Sequence, residues 1–297
     1  MVKAERGAKA GILGRNEAPP LRPEVLRFLV TQALEEDVGP GDATTNACVP
    51  VGDRASARAV ARTAGVVAGL PVFAATFQAL SPEVTVTHRK RDGDKLTEGD
   101  VVSEVAGPAR AILTGERVAL NFLQRMSGIA TQTARFVEAV AGAKAAILDT
   151  RKTAPGLRIL DKYAVWAGGG RNHRMGLYDA MLIKDNHIAA AGSVAEAVKR
   201  ARAGMPSRTI VLEVECDAFE QVAECLQLGV ELILLDNMSV DEMARAVALG
   251  AGRARFEASG SIDLDNVAAV ARAGVDFISV GSLTHSVRAL DIGLDFK

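Results

Sequence analysis

From about residue 145 onward the chain alternates short, nearly continuous apolar runs with amphipathic stretches. The runs "AAILDT" (145–150), "AMLIKD" (180–185), "TIVLEVE" (209–215), "ELILLDN" (231–237), "RFEASG" (255–260) and "DFISVGS" (276–282) predict six strands. Runs apolar on both faces fit parallel strands covered by helices. Between the later runs, "SVAEAVKRARAG", "AFEQVAECLQLG", "SVDEMARAVALG" and "NVAAVARAG" repeat apolar residues at helical spacing. Each closes on glycine, which predicts a glycine C-cap. The last four strands recur at intervals of roughly 22 residues, the rhythm of repeated β-α units. That favours a closed or nearly closed α/β barrel, with an open doubly wound sheet as the rival. Six strands are two short of a regular eight-stranded barrel.

The first 140 residues have a different rhythm. "RPEVLRFLVTQALEED" predicts a helix with proline near its start. The D-G and G-D turns in "EVTVTHRKRDGDKLTEGDVVSEVAG", after "ASARAVARTAGVVAG", predict an antiparallel sheet. A long helix is predicted from near Thr114, with Val118, Phe122, Leu123, Met126 and Ile129 on one face. The expected organisation is a flexible lead-in over 1–20 and a smaller α/β sandwich domain over 21–129. A barrel domain over 130–286 follows, then a tail over 287–297 that packs back on the smaller domain.

Composition narrows the function classes. With 297 residues, 48% of them hydrophobic, the chain can bury a substantial core, and 4% aromatics make that core mostly aliphatic. Lys+Arg 35 against Asp+Glu 36 argues against nucleic-acid binding by bulk charge. Cys48, Cys216 and Cys225 have neither metal-ligand spacing nor the look of a disulfide framework. No apolar run approaches the roughly 20 residues of a membrane helix, and the N-terminus lacks a secretory h-region. The expectation is a cytoplasmic protein with no membrane or nucleic-acid partner.

Local positive charge therefore needs a local reason. "RKTAPG" (151–156) and "GGGRNHR" (168–174) concentrate cations in a chain of net charge -1. Ligands of α/β barrels sit at the C-terminal ends of the strands. There the chain offers Arg151, Lys152, His173, Arg174 and Lys184 as cations, and Glu215 and Asp236 as hard anionic oxygen. Ser259, Gly260 and Gly281 add backbone that a phosphate can approach. A polyanionic substrate accounts for the cations, and a magnesium-bound phosphate accounts for carboxylates beside them. Lys184 also admits another reading, because a lysine at a barrel strand end is where a Schiff-base aldolase places its nucleophile.

The segment "DTRKTAPGLRILDKYAVWAGGGRNHRMGLYDAMLIKDNHI" (149–188) closely resembles quinolinate phosphoribosyltransferase, the carboxylating nicotinate-nucleotide pyrophosphorylase. "GERVALNFLQRMSGIAT", "LEVEC", "LLDNM", "EASGSI" and "SVGSLTHS" match the same family in order, from roughly Leu21 to the C-terminus. The resemblance implies an N-terminal α/β sandwich plus an open six-stranded α/β barrel, an incomplete TIM barrel. It implies reaction of quinolinate with 5-phosphoribosyl 1-pyrophosphate to nicotinate mononucleotide, pyrophosphate and carbon dioxide, in de novo NAD biosynthesis. Arg151, His173, Arg174 and Lys184 would then hold the two quinolinate carboxylates, and Lys152 would engage the phosphorylated sugar. Glu215 and Asp236 would lie beside the ribose and Mg2+, directly or through water or substrate. Ser259, Gly260 and Gly281 would form the 5-phosphate pocket. Arg117 would complete the site of a partner subunit in a homodimer, with assembly into a dimer-based hexamer left open. Ser261 departs from the pattern, because family members often carry a glycine there. A related transferase for another carboxylated nitrogen heterocycle, and a phosphometabolite-binding regulator, remain as alternatives.

Overall fold

Antiparallel and parallel strands fall into separate sheets. The computed structural model describes residues 16–207 and 210–297, so residues 1–15 of the expected lead-in and 208–209, at the start of the third predicted strand, lie outside it. Chain order begins α1 (Pro23–Val38), α2 (Ala43–Cys48), β1 (Arg54–Ala61), β2 (Gly65–Val66), α3 (Leu70–Leu80), β3 (Thr85–His88), β4 (Lys95–Leu96), β5 (Val101–Pro108), α4 (Ala109–Ala139). It continues β6 (Ala146–Leu148), α5 (Arg158–Ala167), β7 (Met181–Ile183), α6 (Asp185–Ala191), α7 (Val194–Ala203), β8 (Leu212–Cys216), α8 (Phe219–Gln227), β9 (Leu232–Asp236). Last come α9 (Val240–Gly250), β10 (Arg255–Ser259), α10 (Val267–Arg272), β11 (Phe277–Ser279), α11 (Ser282–His285) and β12 (Ile292–Phe296). Two compact units result: one gathers 18–135, 152–169 and 282–297, and the other gathers 136–151 and 170–281.

The first unit is built on an antiparallel sheet of order β12-β1-β5-β3. Its last strand comes from the end of the chain, with Ile292 opposite Ala61 and Phe296 opposite Ala57. Phe73 and Phe77 of α3 meet edge to face at 5.1 Å and pack with Ile112, Leu120 and Leu123 of α4. α4 begins at Ala109, earlier than the expected Thr114, because the Ala109 N–H is held by the Asp53 carbonyl (2.8 Å). The expected apolar face is buried throughout: Val118, Phe122, Leu123, Met126 and Ile129. Within this unit α5 is tied to α4 by a two-pronged pair, Arg125 Nε to Asp161 Oδ1 (3.0 Å) and Nη2 to Oδ2 (2.9 Å).

The second unit carries the six predicted strands in the order β6-β11-β10-β9-β8-β7, each pair parallel. β6 and β7 stand at opposite ends of that order. Leu148 of β6 and Ala180 at the start of β7 nevertheless share one apolar cluster with Leu232 and Phe277. The sheet therefore curls into an open six-stranded barrel, and a flat doubly wound sheet is excluded. The predicted glycine stops hold in part. α8 and α10 are each followed by a left-handed glycine one residue past the cap, Gly229 (φ 67°) and Gly274 (φ 89°). Gly250 instead remains helical, and Ala251 takes the left-handed cap position (φ 46°). The reason for glycine at 250 is close packing: a Cβ there would lie 2.5 Å from the Phe256 ring.

Candidate active site

Strand register decides which side chains face the barrel interior. Neighbours in parallel register share a face, and alternate residues along a strand share it too. Glu215 pairs with Leu234 and Leu234 with Glu257, while Asp236 pairs with Ser259. Glu213 and Glu215 of β8, Asp236 of β9, and Glu257 and Ser259 of β10 therefore line one side of the sheet. The outer residues form the rim at the C-terminal strand ends, and Glu213 and Glu257 form a layer beneath it.

The cationic part of the rim is built from the break between β6 and β7. Arg171 bridges to the free edge of β6, its N–H bonding Ile147 O (2.8 Å) and its carbonyl accepting the Asp149 N–H (3.2 Å). The buried Asp149 carboxylate then turns the chain, accepting the His173 N–H (2.8 Å) and the Asn172 amide (2.6 Å). Arg174 follows, 7% exposed, and donates one guanidinium hydrogen bond to Ala180 O at the entry to β7 (3.0 Å). Burial and the nearby Arg151 charge lower its pKa, while Glu213, Asp179 and Glu215 act the other way. Lys184 Nζ forms an ion pair with Glu215, linking cationic and acidic sides. That pair engages Lys184 as an ammonium ion, whereas a Schiff-base nucleophile must be a neutral amine.

Glu215 and Asp236, with Asp185 and Asp217, line a small cavity of about 60 Å³. Carboxylate oxygen is the donor type that Mg2+ takes, and Mg2+ keeps several waters and is commonly held with substrate phosphates rather than by an all-protein cage. The wall fits that use, since these acids do not converge with a third protein ligand among the described residues. Beside them the turn after β10 is tight. Gly260 has φ 94°, and a Cβ there would fall 2.2 Å from Asn237 Oδ1, so only glycine fits. Ser261 takes φ 49°, the left-handed conformation for which glycine is the unstrained residue. The serine thus preserves the loop's backbone path at a cost of about 1 kcal/mol.

Beneath the rim, next to His173, lie two acids that sequence reasoning missed, Glu213 and Glu257. His173 Nε2 stands 3.2 Å from Glu213 Oε2 and 3.5 Å from Glu257 Oε1. Both acids are wholly buried. The contact is divided between them and is not a linear hydrogen bond: both Glu213 oxygens and Glu257 Oε2 lack a hydrogen-bond donor. Burial, the dominant cause, pushes Glu213 up to about 7 and Glu257 up to about 8. Ser279 donates its hydroxyl to Glu257 Oε1. The ligand atoms of His173, Glu213 and Glu257 lie within 4.8 Å of one another, a spacing that suits a metal ion. However, His173 Nδ1 accepts the Arg174 N–H (2.7 Å), so the neutral ring carries its proton on Nε2 and has no lone pair there for a metal. The signal was present in the sequence as a glutamate inside each of two apolar strands, two residues before the rim residue.

The remaining expected residues are placed as follows. Arg151 is exposed directly after β6, and Gly281 follows β11. Lys152 and Arg117 belong to the other compact unit. Lys152 is exposed, with its carbonyl accepting from Thr284 Oγ1 (2.9 Å), and Arg117 is exposed on α4. His187 braces its loop, its Nδ1 accepting the Lys184 N–H (3.0 Å). Cys216 and Cys225 pack with sulfurs 3.7 Å apart, and the neighbouring thiol together with burial pushes the Cys216 thiol upward, away from reactivity.

Residues 42–127 match the family model for the N-terminal domain of quinolinate phosphoribosyl transferase, and 129–295 match that for its C-terminal domain. The chain belongs to the quinolinate phosphoribosyl transferase family. Among members, it is 46% identical over 278 residues to nicotinate-nucleotide pyrophosphorylase [carboxylating] of Mycobacterium leprae, covering 92% of this chain and 97% of the relative. It is 44% identical over 271 residues to the probable nicotinate-nucleotide pyrophosphorylase [carboxylating] of Bacillus subtilis, covering 91% and 93%. The crystal structure of NadC from Streptococcus pyogenes matches with a TM-score of 0.89 at 45% identity, over 94% of this chain and 99% of that one. For a quinolinate phosphoribosyl transferase the open barrel is thus the family's own architecture. Among the described residues no helix is long and apolar enough to cross a membrane.

Proposed function

We propose that the chain catalyses transfer of the phosphoribosyl group of 5-phosphoribosyl 1-pyrophosphate to quinolinate. The products are nicotinate mononucleotide, pyrophosphate and carbon dioxide, in de novo NAD biosynthesis. The observation that carries this reading is the continuous sequence of charge from Arg151 and Arg174 through Glu215 to Lys184 at the barrel's strand ends. Arg151, Arg174 and Lys184 hold the two carboxylates, the arginines by paired hydrogen bonds and the lysine as a point charge. His173 joins them at the carboxylates. Lys152 engages the sugar phosphate, while the backbone around Ser259, Gly260 and Gly281 receives the 5-phosphate.

The pyridine nitrogen already has a lone pair, so no base is needed to create the nucleophile. As it bonds to the anomeric carbon, the bond to pyrophosphate breaks and positive charge grows on the ribose. Glu215 and Asp236 face that charge and can accept hydrogen bonds from the ribose hydroxyls. Mg2+, when bound with the pyrophosphate beside this acidic wall, would neutralise the leaving group. The quaternary pyridinium then stabilises the electron pair left on the adjacent carbon as its carboxylate leaves as carbon dioxide, and that carbon takes up a proton from solvent, so no electron-sink cofactor is required. Arg117 of a second copy completes the cavity in a homodimer, and a phosphorylated sugar substrate suits a cytoplasmic enzyme.

Incubation with quinolinate, 5-phosphoribosyl 1-pyrophosphate and Mg2+ should release carbon dioxide and nicotinate mononucleotide in equal amounts. Nicotinate, which lacks one carboxylate, should be a poor substrate. Equal or better turnover of nicotinate overturns the quinolinate assignment. Mixing Arg117→Ala subunits with Arg151→Ala subunits should restore part of the activity, and no recovery in verified heterodimers rules out a shared site.

A further inference from the structure

Residues 152–154 form neither helix nor strand, yet each of the three is held at a defined atom. The Lys152 carbonyl accepts the Thr284 hydroxyl of α11 (2.9 Å). The Thr153 hydroxyl accepts from Arg158 Nε (3.0 Å), and the Ala154 N–H donates to Asp161 Oδ2 (3.1 Å), both partners lying on α5. Arg125 of α4 joins the two outer anchors. Its Nη2 donates to Asp161 Oδ2 (2.9 Å) and to the Thr284 carbonyl (3.3 Å), while Nε donates to Asp161 Oδ1 (3.0 Å). The loop, α11, α4 and α5 thus close a ring of hydrogen bonds in which Asp161 and Thr284 are buried. A clamp that only fastened α5 to α4 would need neither the Thr284 arm nor the Ala154 arm. Both arms end on the stretch that begins with Lys152.

We propose that Thr284 is a positioning residue for Lys152: its hydroxyl, set in place by Arg125, fixes the Lys152 peptide so that the ammonium group meets the sugar phosphate. Lysine carries a compact charge on a flexible four-carbon stem, so the point from which the stem springs decides what the charge can reach. Holding the carbonyl orients the peptide plane that follows the Lys152 Cα. The Ala154 N–H, fixed by Asp161, steadies the loop from its far side. Support of this kind keeps a binding group within about half an ångström of its working place. The inference rests on the role given to Lys152 in the reaction proposed above.

A double-mutant cycle tests it, because residues acting as one unit are non-additive. Thr284→Val keeps the shape of the side chain and removes the hydroxyl. It should lower kcat/KM for 5-phosphoribosyl 1-pyrophosphate by about fivefold, with KM for quinolinate unchanged. Thr284→Ser, which keeps the hydroxyl, should recover most of the loss. In a Lys152→Ala background Thr284→Val should cost less than about twofold. Equal losses in the two backgrounds, or a loss confined to KM for quinolinate, would overturn the proposal. If Thr284→Val fails to fold by circular dichroism, Thr153→Val, which removes the acceptor for Arg158 on the same loop, takes its place in the cycle. Hydrogen exchange of the unliganded protein supplies a readout independent of substrate. The Ala154 amide should exchange about fivefold faster in Thr284→Val than in the wild type or Thr284→Ser. Unchanged exchange would show that the hydroxyl does not hold the loop and would overturn the proposal. A wild type that turns over no quinolinate would overturn the functional reading, leaving the exchange rates to decide whether Thr284 fixes the loop.

Discussion

Two buried acidic sites in this molecule are solved in opposite ways. Asp161, in the antiparallel unit, is fully buried and receives both prongs of Arg125 as well as the Ala154 N–H (3.1 Å). Glu213 and Glu257, in the barrel, are equally buried yet share one imidazole, and three of their four oxygens have no hydrogen-bond donor. The first arrangement matches charge with charge and ties α5 to α4. The second leaves burial largely unopposed, so the acids hold their protons to unusually high pH. Structural polar groups are satisfied, whereas a site tolerates local cost where the geometry serves binding.

The contrast can be broken most forcefully at Arg125. Arg125→Ala leaves Asp161 as an uncompensated buried charge, and the expected loss is about 3–5 kcal/mol of stability, read from denaturant unfolding. A loss below about 1 kcal/mol would mean that the pair does not carry the fold.

The counterpart in the barrel is Arg151→Ala. Exposed at a strand end, Arg151 should matter to substrate and not to folding. Turnover of quinolinate should fall by roughly two decades, about 3 kcal/mol, with an unchanged circular dichroism spectrum. Near-normal rates at low quinolinate would remove it from the site.

A smaller effect distinguishes the two acid sites by pH. Glu213 and Glu257 have folded-state pKa values raised from 4.5 to about 7 and about 8. Between these limits the unfolded chain releases protons that the folded chain retains, so stability is greatest at the acidic end and declines as pH rises. Glu257→Gln should flatten that decline between pH 5 and pH 8. A wild-type and variant pair with parallel thermal-melting profiles across this range would contradict the raised values.

The smallest change is expected from Ser279→Ala. It removes the one hydroxyl donated to Glu257 and should cost about 1 kcal/mol, measured by chemical unfolding. No change would indicate that another donor replaces the hydroxyl.

How much of this was legible in the sequence depends on what periodicity can register. The six barrel strands stood out because near-continuous apolar runs followed by a polar residue are short and repeated. α3 did not, since "LPVFAATFQAL" is apolar around most of its circumference and shows no amphipathic period. The start of α4 was misplaced because its first turn is held by a distant carbonyl and not by a capping side chain. Within the site, the rim residues were found by their position at strand ends. Glu213 and Glu257 lie inside strands, where a charged residue is conspicuous, but its depth in the barrel follows only from register. A histidine between cations suggests a ligand, and only the coordinates show that its Nδ1 accepts the Arg174 N–H.

The strand contributed by the last residues also affects how the molecule can be made. β1 lies between β5 and β12, so its second neighbour, Ile292–Phe296, is translated after every strand of the barrel. The antiparallel sheet must wait, with that flank of β1 bare, until Ile292–Phe296 is made, whereas the barrel strands can assemble sooner. A chain cut before Ile292 would therefore damage the part of the protein that was translated first.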